Sequence, residues 1–84
     1  MQLPAKATIE QAHALLAQLG DDSNEIDAAA LSDFDTSAVA LLLEARRRAQ
    51  ARGAVFVVRN APPKLRQLAQ LYGVAELLSF GEAT

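Results

Sequence analysis

The sequence contains no cysteine and no tryptophan, a single histidine, and no run of 18 apolar residues. Without cysteine there is no disulfide framework, no thiolate zinc site and no cysteine nucleophile. Without a long apolar run there is no candidate membrane-spanning helix. The stretch from Met1 to Thr8, with one lysine and no apolar core, does not read as a signal peptide, so the expectation is a cytoplasmic protein with no direct membrane insertion. The lone histidine, His13, lies among Ala and Leu residues with no partner at metal-ligand spacing, and reads as a packing or surface residue. A Gly-rich phosphate loop, an HExxH pair and an ordered Ser-His-Asp set are also missing. These absences predict a non-catalytic domain with no cofactor and no metal site.

What is present is a globular balance. The 84 residues are 51% hydrophobic and 21% charged, which argues against a disordered tail or a coiled-coil rod, and a chain of this length reads as one domain over residues 1–84. The formal net charge of −2 hides an asymmetry: residues 1–44 carry one lysine against eight acidic residues, and residues 45–84 carry seven basic residues against two acidic ones. Such polarity can steer a partner or self-association. It does not read as a nucleic-acid binder, because the run Arg46-Arg47-Arg48 with Arg52 points around a helix and no aromatic platform accompanies it.

The chain alternates between helical and extended patterns. Thr8 with Gln11 three residues on forms a capping-box pattern, followed by Ile9, Ala12, Leu16 and Leu19 on one face with Leu15 beside them, and Gly20 as a stop. The alternation in Glu25-Ile26-Asp27-Ala28-Ala29-Ala30-Leu31 predicts a strand. A second helix opens near Asp35 and runs to about Arg52, ending at Gly53. Ala54-Val55-Phe56-Val57-Val58, β-branched and apolar on both faces, reads as an interior parallel strand. Asn60-Ala61-Pro62-Pro63 breaks it and starts a third helix carrying Leu65, Leu68, Ala69 and Tyr72, stopped by Gly73. Val74 to Phe80 adds a helical turn and a last small strand. Strands joined by a helix in this way are parallel, so the fold class is α/β with parallel βαβ units.

The second helix carries the sequence's sharpest functional signal. Asp35 stands where an N-cap is needed, and its carboxylate can accept from the first-turn N–H groups at the positive end of the helix dipole. Thr36 follows in the first turn, and Ser37 after it. At about 100° per residue, Ala38, Leu42, Ala45 and Ala49 form one stripe and Thr36, Ala40, Leu43 and Arg47 the opposite one. The first faces the sheet. The second is an apolar strip with a hydroxyl at its head and a guanidinium at its foot, with Val39 at its margin, and reads as a partner-binding face. The bland readings of the same residues stay open: Asp35 as a simple cap, Thr36 and Ser37 as polar first-turn residues. A further alternative is a small metal-binding or enzymatic α/β domain built on Asp27, Asp33 and Asp35.

The segment Leu31-Ser32-Asp33-Phe34-Asp35-Thr36-Ser37-Ala38-Val39, followed by an apolar helix, resembles the signature of the STAS domain, a family that includes bacterial anti-sigma-factor antagonists and the MlaB-type subunits of a phospholipid-transport ABC system. Arg52 to Val58 and the stretch Leu68-Ala69-Gln70-Leu71-Tyr72-Gly73-Val74 are similar to it too, the latter most of all to MlaB-type members. Ala38 stands where antagonists mostly carry glycine, and Val39 where leucine is usual. The resemblance implies an STAS-like fold whose N-terminal hairpin is truncated, leaving a sheet edge open to a partner or to homodimerisation. It also implies that Thr36 matches the Ser/Thr that antagonists have phosphorylated and that MlaB-type subunits use unmodified at the ATPase interface, with Ser37 as the alternative acceptor. The function implied first is an interaction subunit for an ABC transporter ATPase, at the membrane only through that complex. The second is a phosphorylation-switched antagonist of an anti-sigma factor or kinase.

Overall fold

A computed structural model describes residues 2–19 and 25–78 of the chain. In order, the elements are β1 (Lys6–Ala7), α1 (Ile9–Gln18), β2 (Glu25–Asp27), β3 (Asp33–Phe34), α2 (Thr36–Ala51), β4 (Val57–Arg59), α3 (Pro63–Leu71) and α4 (Ala75–Leu78). Among the described residues the strands form two parallel pairs, β1 with β3 and β2 with β4. Gln2 adds an isolated parallel bridge to Asp27, secured by the Leu3 N–H donating to the Asp27 carbonyl at 2.9 Å.

The registers explain how so short a sheet is built. Gln2 faces Asp27 and Lys6 faces Asp33, so residues 2–7 run alongside residues 27–34 with two extra residues on the longer side. Those extra residues are taken up by a turn in which the Leu31 N–H donates to the Ala28 carbonyl and the Ala29 N–H donates to Asp27 Oδ1, an Asx-type turn that competes with the ladder. The strand expected over Glu25–Leu31 is therefore interrupted: Ala30 is exposed, and the chain pairs again only at Asp33. The N-terminal segment, in which the sequence pattern showed no strand, supplies β1 and the Gln2 bridge.

Other boundaries move for equally local reasons. The β4 ladder begins at Val57, not Ala54, and Val55 is 84% exposed while Phe56 and Val58 are buried, so the segment is not apolar on two covered faces. Among the described residues β4 pairs with β2, and β2 is flanked by β4 on one side and Gln2 on the other. In α1 the capping box is present: Gln11 Oε1 accepts from the Thr8 N–H at 3.0 Å and from its hydroxyl at 2.6 Å. Leu15 and Leu19 are buried, but Ile9, expected on that face, is 73% exposed because it occupies the helix's first position, beyond the reach of the core. Gly20 and the last small strand lie outside the described residues.

The core is one cluster. Ile26 and Val58 from the sheet, Leu15 from α1, Leu42 from α2, Leu65 from α3 and Leu78 from α4 all meet in it. α2 is its axis, packed against α1, α3 and α4, and all four residues of its inward stripe, Ala38, Leu42, Ala45 and Ala49, are 1% exposed or less. Three of the four are alanine, which lets neighbouring backbones approach closely while costing no side-chain entropy. Pro63 opens α3 at its first position, where a missing N–H costs nothing. Gly53 and Gly73, just past α2 and α3, adopt φ of 73° and 72°, the left-handed geometry that ends helices and that glycine alone takes without a Cβ penalty.

Candidate functional site

The N-terminal end of α2 is held in place by one carboxylate. Asp35 is the N-cap, accepting the Ser37 N–H on Oδ1 at 2.9 Å and the Ile9 N–H of α1 on Oδ2 at 3.2 Å. It caps its own helix and ties in the first residue of another. The Ser37 N–H, and after it the Ile9 N–H, hold the Asp35 carboxyl below the usual carboxylate range, so it stays ionised and structural at neutral pH. Thr36, next to it, is exposed; Ser37 is half-buried.

Thr36 stands between two depressions. One, of about 490 Å³, is lined by Phe34, Asp35, Thr36, Lys64, Gln67, Leu68 and Leu71; the other, of about 270 Å³, by Thr36, Val39, Ala40, Leu43, Tyr72 and Val74. Both lie between α2 and the α3–α4 segment. Of the outer stripe, Thr36, Ala40 and Arg47 are exposed, and Leu43 is half-buried against the core. Val39, expected at the margin of this face, is 4% exposed and lines the second depression together with Tyr72 and Val74.

Arg47, at the foot of the strip, is committed within its helix. It forms a two-pronged pair with Glu44, Nε to Oε1 at 2.9 Å and Nη2 to Oε2 at 2.7 Å, while Arg48 donates to the same carboxylate and to the Leu19 carbonyl. These two arginines pull the Glu44 pKa from 4.5 to about 2, Arg47 foremost. The rest of the basic run is similarly engaged, Arg46 with Gln50 and Arg52 with the Arg48 carbonyl.

The α3 wall is what sequence reasoning missed. Lys64, Gln67, Leu68 and Leu71 fall at i, i+3, i+4 and i+7, one helical face, and that spacing was legible. Tyr72, expected on the third helix with Leu65, Leu68 and Ala69, is 56% exposed, and Leu71 is 76% exposed. α3 buries only Leu65 and Ala69, so the pattern holds a narrow inward stripe with an apolar outer face beside it, which composition alone does not separate. Of the aspartates considered for a metal, Asp27 is turned to its own loop, accepting from the Ala29 N–H and from Asn60, which keep its pKa low. Among the described residues no group of three or more His, Cys, Asp or Glu side chains is gathered as a metal site would need.

A family model described as "Mlab, STAS domain" matches residues 2–79. The chain belongs to the MlaB-type STAS domain family. Its fold agrees: the structure of an anti-sigma-factor antagonist (STAS) domain protein from Planctomyces limnophilus superposes with a TM-score of 0.73 at 21% identity, covering 99% of this chain and 80% of that one. No curated protein matches the chain in sequence. STAS domains are in general regulatory and interaction modules rather than catalysts. No helix among the described residues is long and apolar enough to cross a membrane.

Proposed function

We propose that this STAS domain is a non-catalytic subunit that docks on the ATPase of a phospholipid-transport ABC complex through the N-terminal end of α2, and so supports the assembly or activity of that complex. The observation that carries the reading is the position of Thr36: an exposed hydroxyl at the junction of two shallow depressions whose walls include Ala40, Leu43, Leu71 and Tyr72. An apolar surface with a few placed polar groups is the anatomy of a protein interface. The match to an MlaB-type family model supports the choice of partner, and localisation at the membrane would then come through the complex. The test is binding of the purified ATPase subunit of the source cell's phospholipid-transport ABC system to wild type and to Thr36→Glu. Wild-type binding that is lost in the variant, with the fold intact by circular dichroism, is the expected result. An ATPase that ignores the wild-type protein overturns the reading.

The second reading, an antagonist that binds an anti-sigma factor or its kinase and is switched by phosphorylation, is favoured by the same exposure of Thr36 and by the solved antagonist of the same fold. A phosphate there would add about −1.5 to −2 charges beside Asp35, in a groove that also holds Lys64. The docking surface would change sign while the core stayed unaltered. Phosphopeptide mass spectrometry of protein from its native cells separates the two readings, because only the antagonist requires modified Thr36 or Ser37.

A further inference from the structure

Between Ala45 and Ala75 the chain carries seven basic residues and no acidic one, and four of the seven gather on the last two turns of α2 and its C-cap. Among the described residues their carboxylate partner is Glu44, which takes Arg47 and Arg48. Arg46 turns instead to the Gln50 amide and Arg52 to the Arg48 carbonyl, so both are held by neutral groups. Arginines on a helix surface are ordinary by themselves. The residue beside them is not. Val55, three residues after Arg52, is 84% exposed, the highest value of any large apolar side chain among the described residues. It does not hang on a loose loop. The Gly53 N–H donates to the Gln50 carbonyl at 3.0 Å and the Ala54 N–H to the Ala49 carbonyl at 2.9 Å, the tight turn that closes a helix. Phe56 and Val58 are buried in the core.

We propose that the C-terminal end of α2 rests on the surface of an anionic lipid bilayer, with Arg46 and Arg52 against lipid phosphates and Val55 seated at the boundary between headgroups and acyl chains. Arg46 lies about 9 Å along the helix from Arg52, and Val55 is within about 10 Å of it along the chain, so the three sit at one end of the molecule. A phosphate makes a stronger, charge-assisted bond to a guanidinium than the amide and carbonyl it displaces. An exposed apolar side chain among cations is the chemistry of a membrane-surface contact. A nucleic acid is the poorer fit, because Phe56, the aromatic residue next to Val55, is buried and offers no stacking surface. The Thr36 end of α2 is about 24 Å away and is left clear. This lipid contact goes beyond the docking role proposed above and does not depend on it.

The experiment uses the full chain and vesicles of phosphatidylcholine, alone or with an equal part of phosphatidylglycerol, at low ionic strength. Sedimentation gives the bound fraction of wild type, the double variant Arg46→Gln/Arg52→Gln, Val55→Ser and Lys6→Gln. Wild type is expected to bind the anionic vesicles and leave the neutral ones. The double variant loses about 10-fold or more in partitioning, and Val55→Ser about 2- to 5-fold at unchanged charge. Lys6→Gln, which removes a cation from the strand beside Asp33, keeps the wild-type value. All four keep the native circular dichroism spectrum, and a nitroxide-labelled lipid broadens the Val55 methyl resonances. Wild type that ignores anionic vesicles overturns the inference. So does a loss in Lys6→Gln as large as that of the double variant, which makes net charge the cause, or a Val55→Ser variant that binds as wild type with the Val55 methyls of wild type left sharp, which places the contact on another face. Tighter binding to double-stranded DNA than to anionic vesicles, lost in the double variant, overturns it by assigning the arginines to nucleic acid. Each of these results leaves the ATPase reading to its own test.

Discussion

The two faces of α2 share a pairing of leucine with alanine and meet different surroundings. The inward stripe is Ala38, Leu42, Ala45 and Ala49, and the outward one is Thr36, Ala40, Leu43 and Arg47. Each has a leucine at its middle and alanine beside it. Inside, small residues let α1, α3 and α4 close on the helix. Outside, Ala40 lines a hollow with Leu43, Tyr72 and Val74, and Tyr72 remains exposed. Alanine therefore means close packing on one face and an unfilled seat on the other, and the difference comes from what the tertiary structure places opposite it.

The largest test of that contrast is one substitution made at two positions two residues apart. Ala38→Arg forces a long cation into a site that is 1% exposed, and is expected to cost more than about 4 kcal/mol and to leave the chain unfolded. Ala40→Arg, on the exposed face, should stay within about 0.5 kcal/mol of wild type yet abolish ATPase binding. Urea denaturation followed by circular dichroism gives the stability half of the comparison, and equal destabilisation at both sites would break it.

The leucines sharpen the same contrast at lower amplitude. Leu42 is fully buried and Leu43 half-buried against the core. Leu42→Ala should cost about 2–5 kcal/mol, and Leu43→Ala about 1–2 kcal/mol because less apolar area is removed from the core. In binding the order reverses, with Leu43→Ala the more damaging to partner affinity once both proteins are measured at a temperature where they are folded.

The smallest effect is electrostatic. The folded-state pKa of Glu44 is lowered from 4.5 to about 2 by Arg47 and Arg48, so its contribution is present above the unfolded value and is lost as pH falls from about 5 towards 2. Asp35, held low by the Ser37 N–H, acts in the same direction. Because the Glu44 pairs are on the helix surface, the loss is modest and salt-sensitive. Melting temperatures of wild type and Glu44→Gln should differ at pH 7 and converge as pH approaches 2. A constant difference across that range would show that the substitution acts through packing instead.

Much of the fold was written locally. The Thr8–Gln11 box, the Asp35 cap, the inward stripe of α2, the proline that opens α3 and the glycines that close two helices are signals carried by a few adjacent residues, and each was found where the pattern placed it. The misses share another character. The break in the strand at Ala29–Ala30, the strand formed by Lys6–Ala7 and the exposure of Val55 all depend on which segment lies alongside, and parallel partners here are separated by about 25 to 32 residues. Strand propensity largely reports such packing and is weak as a backbone preference.

At the candidate site the division is the same. The sequence by itself determined that Asp35 caps α2 and that Thr36 stands free in its first turn, since an N-cap needs only its own next two residues. It also determined which stripe of α2 is apolar enough to be buried. Only the tertiary structure decided that Val39 shares a depression with Tyr72 and Val74, that Asp35 also anchors Ile9 of α1, and that Lys64 and Leu71 come to line a groove with Thr36. Those placements rest on helix α3 returning beside α2 after a strand and a turn. Helical periodicity sets which residues share a face, but which neighbouring element that face meets is fixed only when the whole core closes.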